Sequence, residues 1–214
     1  MVKVKMCGFM DPEDAKVACE LGVDMIGVIV EIRGSSRSIT IEQARRVLAA
    51  SKVDKVAVVM PNRLGDAIRV AHELKPDYLQ IHSNFTAGQL KKLKELAGVK
   101  MIGVVAIPKK ISAREAILNR AREVSKAADY VLLDTKGPTG GGTGLVHNWN
   151  FSRKIRETLD KPVFLAGGLN PANVKEAIKA VCPYGVDVAS GVESGPGKKN
   201  PKLMRAFIEA AGGA

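Results

Sequence analysis

Short runs of β-branched and apolar residues alternate with amphipathic stretches along the whole chain. The apolar runs fall at 2–9, 25–32, 54–60, 77–82, 100–107, 130–135, 162–168 and 185–191. Between them, apolar positions recur at helical spacing over 11–22, 40–51, 63–75, 86–98, 112–127, 149–159, 170–181 and 201–211. Each strand–helix step takes about 27 residues, enough for one parallel crossover. Strict alternation of this kind implies a parallel sheet covered by helices. Eight repeats with no large insertion favour closure into a compact (β/α)8 barrel. The alternative, an open doubly wound sheet, lacks the GxGxxG that would follow its first strand. No Pro/Ser-rich linker or compositional shift divides the chain, so residues 1–214 read as one domain.

Composition narrows the function classes. The chain is 46% hydrophobic and 26% charged, and no apolar run reaches membrane-spanning length. The N-terminal stretch is broken by Lys3, Lys5, Asp11, Glu13 and Asp14, unlike a signal peptide. Cys7, Cys19 and Cys182 are odd in number and fit no metal-ligand spacing, which points to a reduced, cytoplasmic enzyme. The net charge of +11 raises nucleic acid as a partner, but aromatics are only 4% and no stacking platform is present. Lysines scattered over the helices read as a solvated face whose field draws in a small anion.

In a barrel of this type the chemistry sits at the C-terminal strand ends. Along strand 1, Val4 and Met6 alternate with Lys3, Lys5 and Cys7. Apolar contacts with helices place Val4 and Met6 outside, so Lys5 and Cys7 point inward, Cys7 at the rim. A neighbouring ammonium favours thiolate over thiol, making Cys7 a base or nucleophile; an inert buried cysteine is the plainer alternative. Gly8 beside it would leave room for a ligand. Asp134 ends the apolar run YVLLD. It either caps the next loop or, desolvated by Leu132 and Leu133, acts as a general acid.

The last two strand ends are glycine-rich. Gly167 and Gly168 precede a helix start with Asn170 as N-cap and Pro171 at N1, and Ser190 and Gly191 follow strand 8. Backbone N–H groups there suit a phosphate. The segment 136–149, containing Gly141, Gly142 and Gly144, reads either as a lid or as a disordered loop. Arg33 and Arg37 stand after strand 2, where an arginine fork suits a carboxylate. His82 ends strand 4, as a ligand-binding or structural histidine; His72 lies on a helix and His147 in the lid segment.

Assembled in order, KMCGF, SSRSIT, QIH, LLDTK, GGGTG, LAGGLNPANV and VDVASGVESGPGKK resemble the phosphoribosylanthranilate isomerases of tryptophan biosynthesis over essentially the whole chain. The chain departs from the family pattern in the strand-4 loop, where Ser83 and Asn84 stand, and in the segments before Arg37 and Trp149. The resemblance implies a TIM barrel that converts N-(5′-phosphoribosyl)anthranilate to 1-(2-carboxyphenylamino)-1-deoxyribulose 5-phosphate. It implies Asp134 as general acid and Cys7 as general base. Arg37 falls to the substrate carboxylate, and Gly167, Gly168, Asn170, Ser190 and Gly191 to the phosphate. Lys5 and His82 are further substrate-binding candidates. No metal or cofactor is implied, and family members are monomers or homodimers. Competing readings are another phosphosugar barrel, such as a metal-dependent epimerase or a histidine-pathway aminoaldose isomerase, and a non-catalytic nucleic-acid-binding barrel.

Overall fold

A computed structural model describes residues 1–135 and 146–213. The glycines 141, 142 and 144 therefore lie outside the described residues. The eight strands expected from the pattern are all present: β1 Lys3–Cys7, β2 Met25–Val30, β3 Asp54–Val59, β4 Tyr78–Ile81, β5 Lys100–Ile107, β6 Tyr130–Thr135, β7 Val163–Leu165 and β8 Gly185–Val188. Each is followed by its helix: α1 Pro12–Glu20, α2 Ile41–Ala49, α3 Leu64–Leu74, α4 Ala87–Ala97, α5 Arg114–Ala127, α6 Trp149–Glu157, α7 Val174–Val181 and α8 Pro201–Gly212. All neighbours pair in parallel, and β1 closes the ring by pairing with both β2 and β8. Among the described residues, no helix is long and apolar enough to cross a membrane.

Two apolar layers follow from the alternation along each strand. Val4, Met6, Ile26, Val28 and Ala57 face outward and pack under helical residues such as Ala15, Ala18, Ala44 and Val47. Met25, Val56, Val58, Ile102, Leu132 and Phe164 fill the barrel instead. At the N-terminal end, Tyr130 stacks edge-on or tilted against Tyr78, Phe164 and Tyr184, with centroids 5.6, 5.8 and 5.6 Å away. That aromatic plug leaves the opposite end for chemistry.

Local capping sets the helix starts. Thr40 and Thr86 each form a capping box with the glutamine three residues on, Gln43 and Gln89. Helix α7 begins later than the pattern suggests. Its N-cap is Asn173, and Asn170 instead opens the preceding turn by accepting from the Ala172 N–H at 2.9 Å. An asparagine followed by proline supplied both signals, and the turn used them. Cys182 belongs to the end of α7, not its interior: it caps the helix in the left-handed region at φ 51°, as Lys75 caps α3 at φ 46°. Replacing either by glycine removes the Cβ penalty, worth about 0.5–1 kcal/mol. Cys182→Gly and Lys75→Gly are each expected to raise the thermal midpoint by about 2 °C, measured by circular dichroism.

Three short strands lie outside the expected pattern. Ser38–Ile39 adds to β2 beyond Gly27, and Glu193–Gly195 pairs with Lys198–Lys199 as a hairpin after β8. Both lie at the C-terminal rim and carry residues into the site.

Candidate active site

A cleft opens at the C-terminal ends of the strands. It gathers most of the residues singled out in the sequence: Cys7, Arg37, His82, Asp134, with Gly167, Gly168 and Ser190 on the opposite lip. Ile29, Ile32, Val58 and Met60 supply an apolar wall. Arg33 is exposed and is not part of the lining.

Cys7 ends β1 with its side chain in the barrel interior and is 5% exposed. The space it occupies is made by Gly27 on β2, where a Cβ would stand 3.0 Å from Cys7 Sγ and 3.4 Å from Lys5 Nζ. Gly8 has a different use from the one expected. At φ 80° it turns the chain out of β1, and a Cβ there would lie 2.7 Å from Arg37 Cδ, so it makes room for the arginine rather than for a ligand.

Lys5 is completely buried, and its ammonium donates to Asp187 Oδ1 at 2.9 Å. Lys5 itself is not part of the cleft lining, but its partner Asp187 is, so the lysine acts on the site from beneath through a carboxylate that faces it. Burial pushes the Cys7 thiol up, the charges of Lys5 and Lys199 pull it back, and burial wins. The sequence expectation for Lys5 has the right sign but is outweighed by desolvation. Burial, with Asp187 adding to it, pushes Asp134 up to about 7, which keeps a large protonated fraction at neutral pH. Only Leu132 of its two leucine neighbours shares the interior; Leu133 packs outside.

His82 pairs through Nε2 with Gln80 Nε2 at 3.0 Å, and burial together with Lys5 lowers it to about 4. It is therefore a neutral imidazole at the cleft wall. Arg37 is gripped by Glu193, donating from Nε at 2.9 and 3.0 Å and from Nη2 at 2.7 Å. Nη1 makes no hydrogen bond to a described residue, leaving one guanidinium edge for a ligand. Gly167 is held against Thr135, where a Cβ would clash with the threonine hydroxyl and backbone. Two glycine-loop residues stand back from the lining. Asn170 is occupied in its turn, and Gly191 packs so tightly on the Leu169 carbonyl that no side chain fits. They fasten the two loops together, behind Gly167, Gly168 and Ser190.

His147 is a strut. It is 6% exposed, with Nδ1 at 2.8 Å from the Thr135 hydroxyl and Nε2 at 2.6 Å from that of Ser152. Burial lowers it to about 4. A histidine depressed in the fold takes up its proton more readily when unfolded, so stability is lost as pH falls from 6.5 towards 4. Asp134 works the other way, since its raised value makes the native state the proton binder as pH falls from 7 towards 3.8. With His82 and His147 opposing Asp134, these three groups leave a net stabilisation on going from about pH 4 to 6.5. His147→Phe is expected to remove one histidine's share, about 1.4 kcal/mol per pH unit at most, measured as the pH dependence of denaturant unfolding.

Asp187, Glu193, Lys199 and Gln80 were not among the sequence candidates. Asp187 was findable: it is the only charge in GVDV, at the same parity as Asp134 in its own strand. Glu193 and Lys199 depend on the hairpin, for which the chain offers only a Gly-Pro-Gly turn signal.

The chain from 4 to 210 matches the model of the N-(5′-phosphoribosyl)anthranilate (PRA) isomerase family. It is 40% identical to the N-(5′-phosphoribosyl)anthranilate isomerase of Methanocella arvoryzae over 98% of this chain and 97% of that one. A crystal structure of the phosphoribosyl anthranilate isomerase of Thermotoga maritima superposes with a TM-score of 0.86 at 34% identity, covering 100% of both chains. Another phosphoribosyl anthranilate isomerase, in complex with reduced 1-(o-carboxyphenylamino)-1-deoxyribulose 5-phosphate, matches with a TM-score of 0.84 at 31% identity, again covering 100% of both. This chain, with its closed eightfold barrel and a cleft holding a thiol, a raised carboxyl and a free guanidinium edge, belongs to the N-(5′-phosphoribosyl)anthranilate isomerase family.

Proposed function

We propose that the chain, acting as one catalytic domain in the reducing cytoplasm, carries out the Amadori rearrangement of N-(5′-phosphoribosyl)anthranilate through Asp134 and Cys7. The observation that carries this reading is that one cleft holds a carboxyl kept largely protonated by burial and, across it, a thiol with two lysine charges close by that favour its ionised form. Asp134, held near neutrality by burial and by Asp187, gives its proton to the ribose ring oxygen. The anilino nitrogen lone pair forms the C1′=N bond as C1′–O breaks, giving an open-chain iminium. The iminium acidifies the C2′ hydrogen, and the Cys7 thiolate removes it. The electrons of the C–H bond become the C1′=C2′ bond as the C=N π pair returns to nitrogen. The resulting enolamine takes a proton at C1′ while its C2′ hydroxyl gives one up, leaving the ketone. The iminium is the electron sink, so these steps call for no cofactor.

The remaining contacts follow from charge and shape. Arg37 presents its unshared edge to the anthranilate carboxylate. Gly167, Gly168 and Ser190, backed by Asn170 and Gly191, offer the phosphate loops; the solved relative with the reduced product analogue supports a site for a phosphorylated ligand of this shape. His82, neutral, faces the same cleft as a hydrogen-bonding group. Burial holds the thiol above its ordinary value, and the iminium formed beside it favours the thiolate at the step where it is needed. Purified protein is expected to consume the fluorescent substrate at an undiminished rate in excess chelator. No consumption by folded protein would overturn the assignment.

A further inference from the structure

One buried ion network takes no direct part in the scheme above. Lys199 is 2% exposed although it lies beside a solvent-facing lysine, Lys198. Its ammonium donates to the Cys7 carbonyl at 2.5 Å, to the Ala189 carbonyl at 3.2 Å and to Glu193 Oε1 at 2.8 Å, and stands 5.2 Å from the Phe9 ring centroid. Glu193 in turn holds Arg37 through the three contacts already given. An unbroken line of charge-assisted contacts thus runs from the backbone of Cys7, through the hairpin after β8, to the guanidinium in the β2–α2 loop.

Charge sharpens the point. Lys5 and Asp187 form a neutral pair under the site. Lys199, Glu193 and Arg37 sum to one surplus positive charge with the lysine and glutamate almost fully buried. A surplus buried cation is costly unless an anion answers it. Two anions belong here: the Cys7 thiolate and a bound carboxylate.

We propose that Glu193 and Lys199 are positioning residues that couple Cys7 to Arg37, so that the base and the carboxylate clamp share one charge network. Lys199 fixes the end of β1 and favours the thiolate. Glu193 aims Arg37 and limits how much positive potential reaches the thiol. The inference rests on the acid–base reading above, since it assigns these two residues to the same site.

The groups facing Cys7 are Lys5 on β1, Asp187 on β8, Lys199 in the hairpin and Arg37 after β2. Removing the cation Lys199, or the anion Glu193 that offsets Lys199 and Arg37 from behind, therefore has opposite consequences. In a full-length Cys19→Ala, Cys182→Gly background, the ultraviolet absorbance of the thiolate reports Cys7 alone once the tyrosinate signal, followed at its own longer wavelength, is subtracted. Lys199→Met is expected to raise the titration midpoint by up to about one pH unit, and Glu193→Gln to lower it. Glu193→Gln is also expected to raise KM by more than it lowers kcat, because Arg37 loses its fork. A merely structural role moves both midpoints the same way, towards that of an exposed cysteine. Midpoints that stay put, or move together, overturn the coupling. Should Lys199→Met not fold, Glu193→Gln decides alone: a lowered midpoint supports the coupling, and an unchanged or raised one defeats it. The titration needs no substrate, so an inactive parent protein would sink the catalytic reading while leaving this result standing.

Discussion

Cys7→Ala is expected to lower kcat by about a thousandfold or more while leaving the barrel folded. General base catalysis contributes on the order of 10² to 10⁴ in rate, and no other described residue with a titrating base lines the cleft near β1. In the proposed scheme Asp134 is taken up as the acid, His82, lowered to about 4, is a weak base, and the Asp187 carboxylate is paired with Lys5. The structural cost is small. Cys7 packs into a space defined by Gly27 and the barrel interior, and losing one sulfur there costs about 1–2 kcal/mol. Cys7→Ser separates the two effects. It keeps the shape but carries a hydroxyl far too weakly acidic to ionise at neutral pH, so it should melt near the parent and turn over near the alanine variant. An active Cys7→Ser protein would remove the thiolate from the mechanism.

Asp134→Asn is expected to lose as much activity as Cys7→Ala, with KM changed by only a few fold. The amide has the carboxyl's shape and no proton to give, so ring opening stalls, while Arg37 and the glycine loops still hold the substrate. Its effect on stability has the opposite sign. The raised value of Asp134 means that the fold favours the protonated form, and the stability this brings is full below about pH 3.8 and lost as pH rises through about 7. Above pH 7 the folded protein buries a carboxylate beside Asp187, and asparagine removes that repulsion. The variant should therefore gain stability relative to the parent between pH 6 and 8, seen in denaturant midpoints. A catalytic residue whose removal stabilises the fold is what a strained functional carboxyl predicts.

Much of this site was legible because a parallel barrel converts strand parity directly into location. Val4 and Met6 against Lys5 and Cys7 is a two-residue period, and the closed sheet leaves each parity only one place to go. The β5 and β6 boundaries matched the pattern because both strands are long and continuous, whereas β7 shortened to Val163–Leu165 as Ala166 and its glycines peeled into the site. What sequence could not supply was the balance between neighbours. Lys5 reads as a cation beside a thiol, but its partner Asp187 comes from the other end of the chain, and desolvation of Cys7 exceeds the help Lys5 gives. Gly8 and Gly27 look equally suited to clearing space, and only the β1–β2 register shows that Gly27 stands opposite Cys7. His147, set in a glycine-rich stretch, gave no sign that Thr135 and Ser152 would bury it. Glu193 and Lys199 read as surface charges until a hairpin folds them under Arg37.

The division of labour between Asp134 and Cys7 is tested most directly by the pH dependence of kcat/KM, which reports the ionisations of the free enzyme. Active protein needs the acid protonated and the thiol ionised, yet the carboxyl at about 7 releases its proton before the buried thiol does. The product of those two fractions rises with pH up to about 7, stays level, and falls only beyond the thiol's own ionisation. The parent enzyme is expected to show that rise and plateau, and Asp134→Asn to lose the break near 7 from its residual activity. A parent profile without a break near 7, or one that Asp134→Asn leaves in place, would contradict the account.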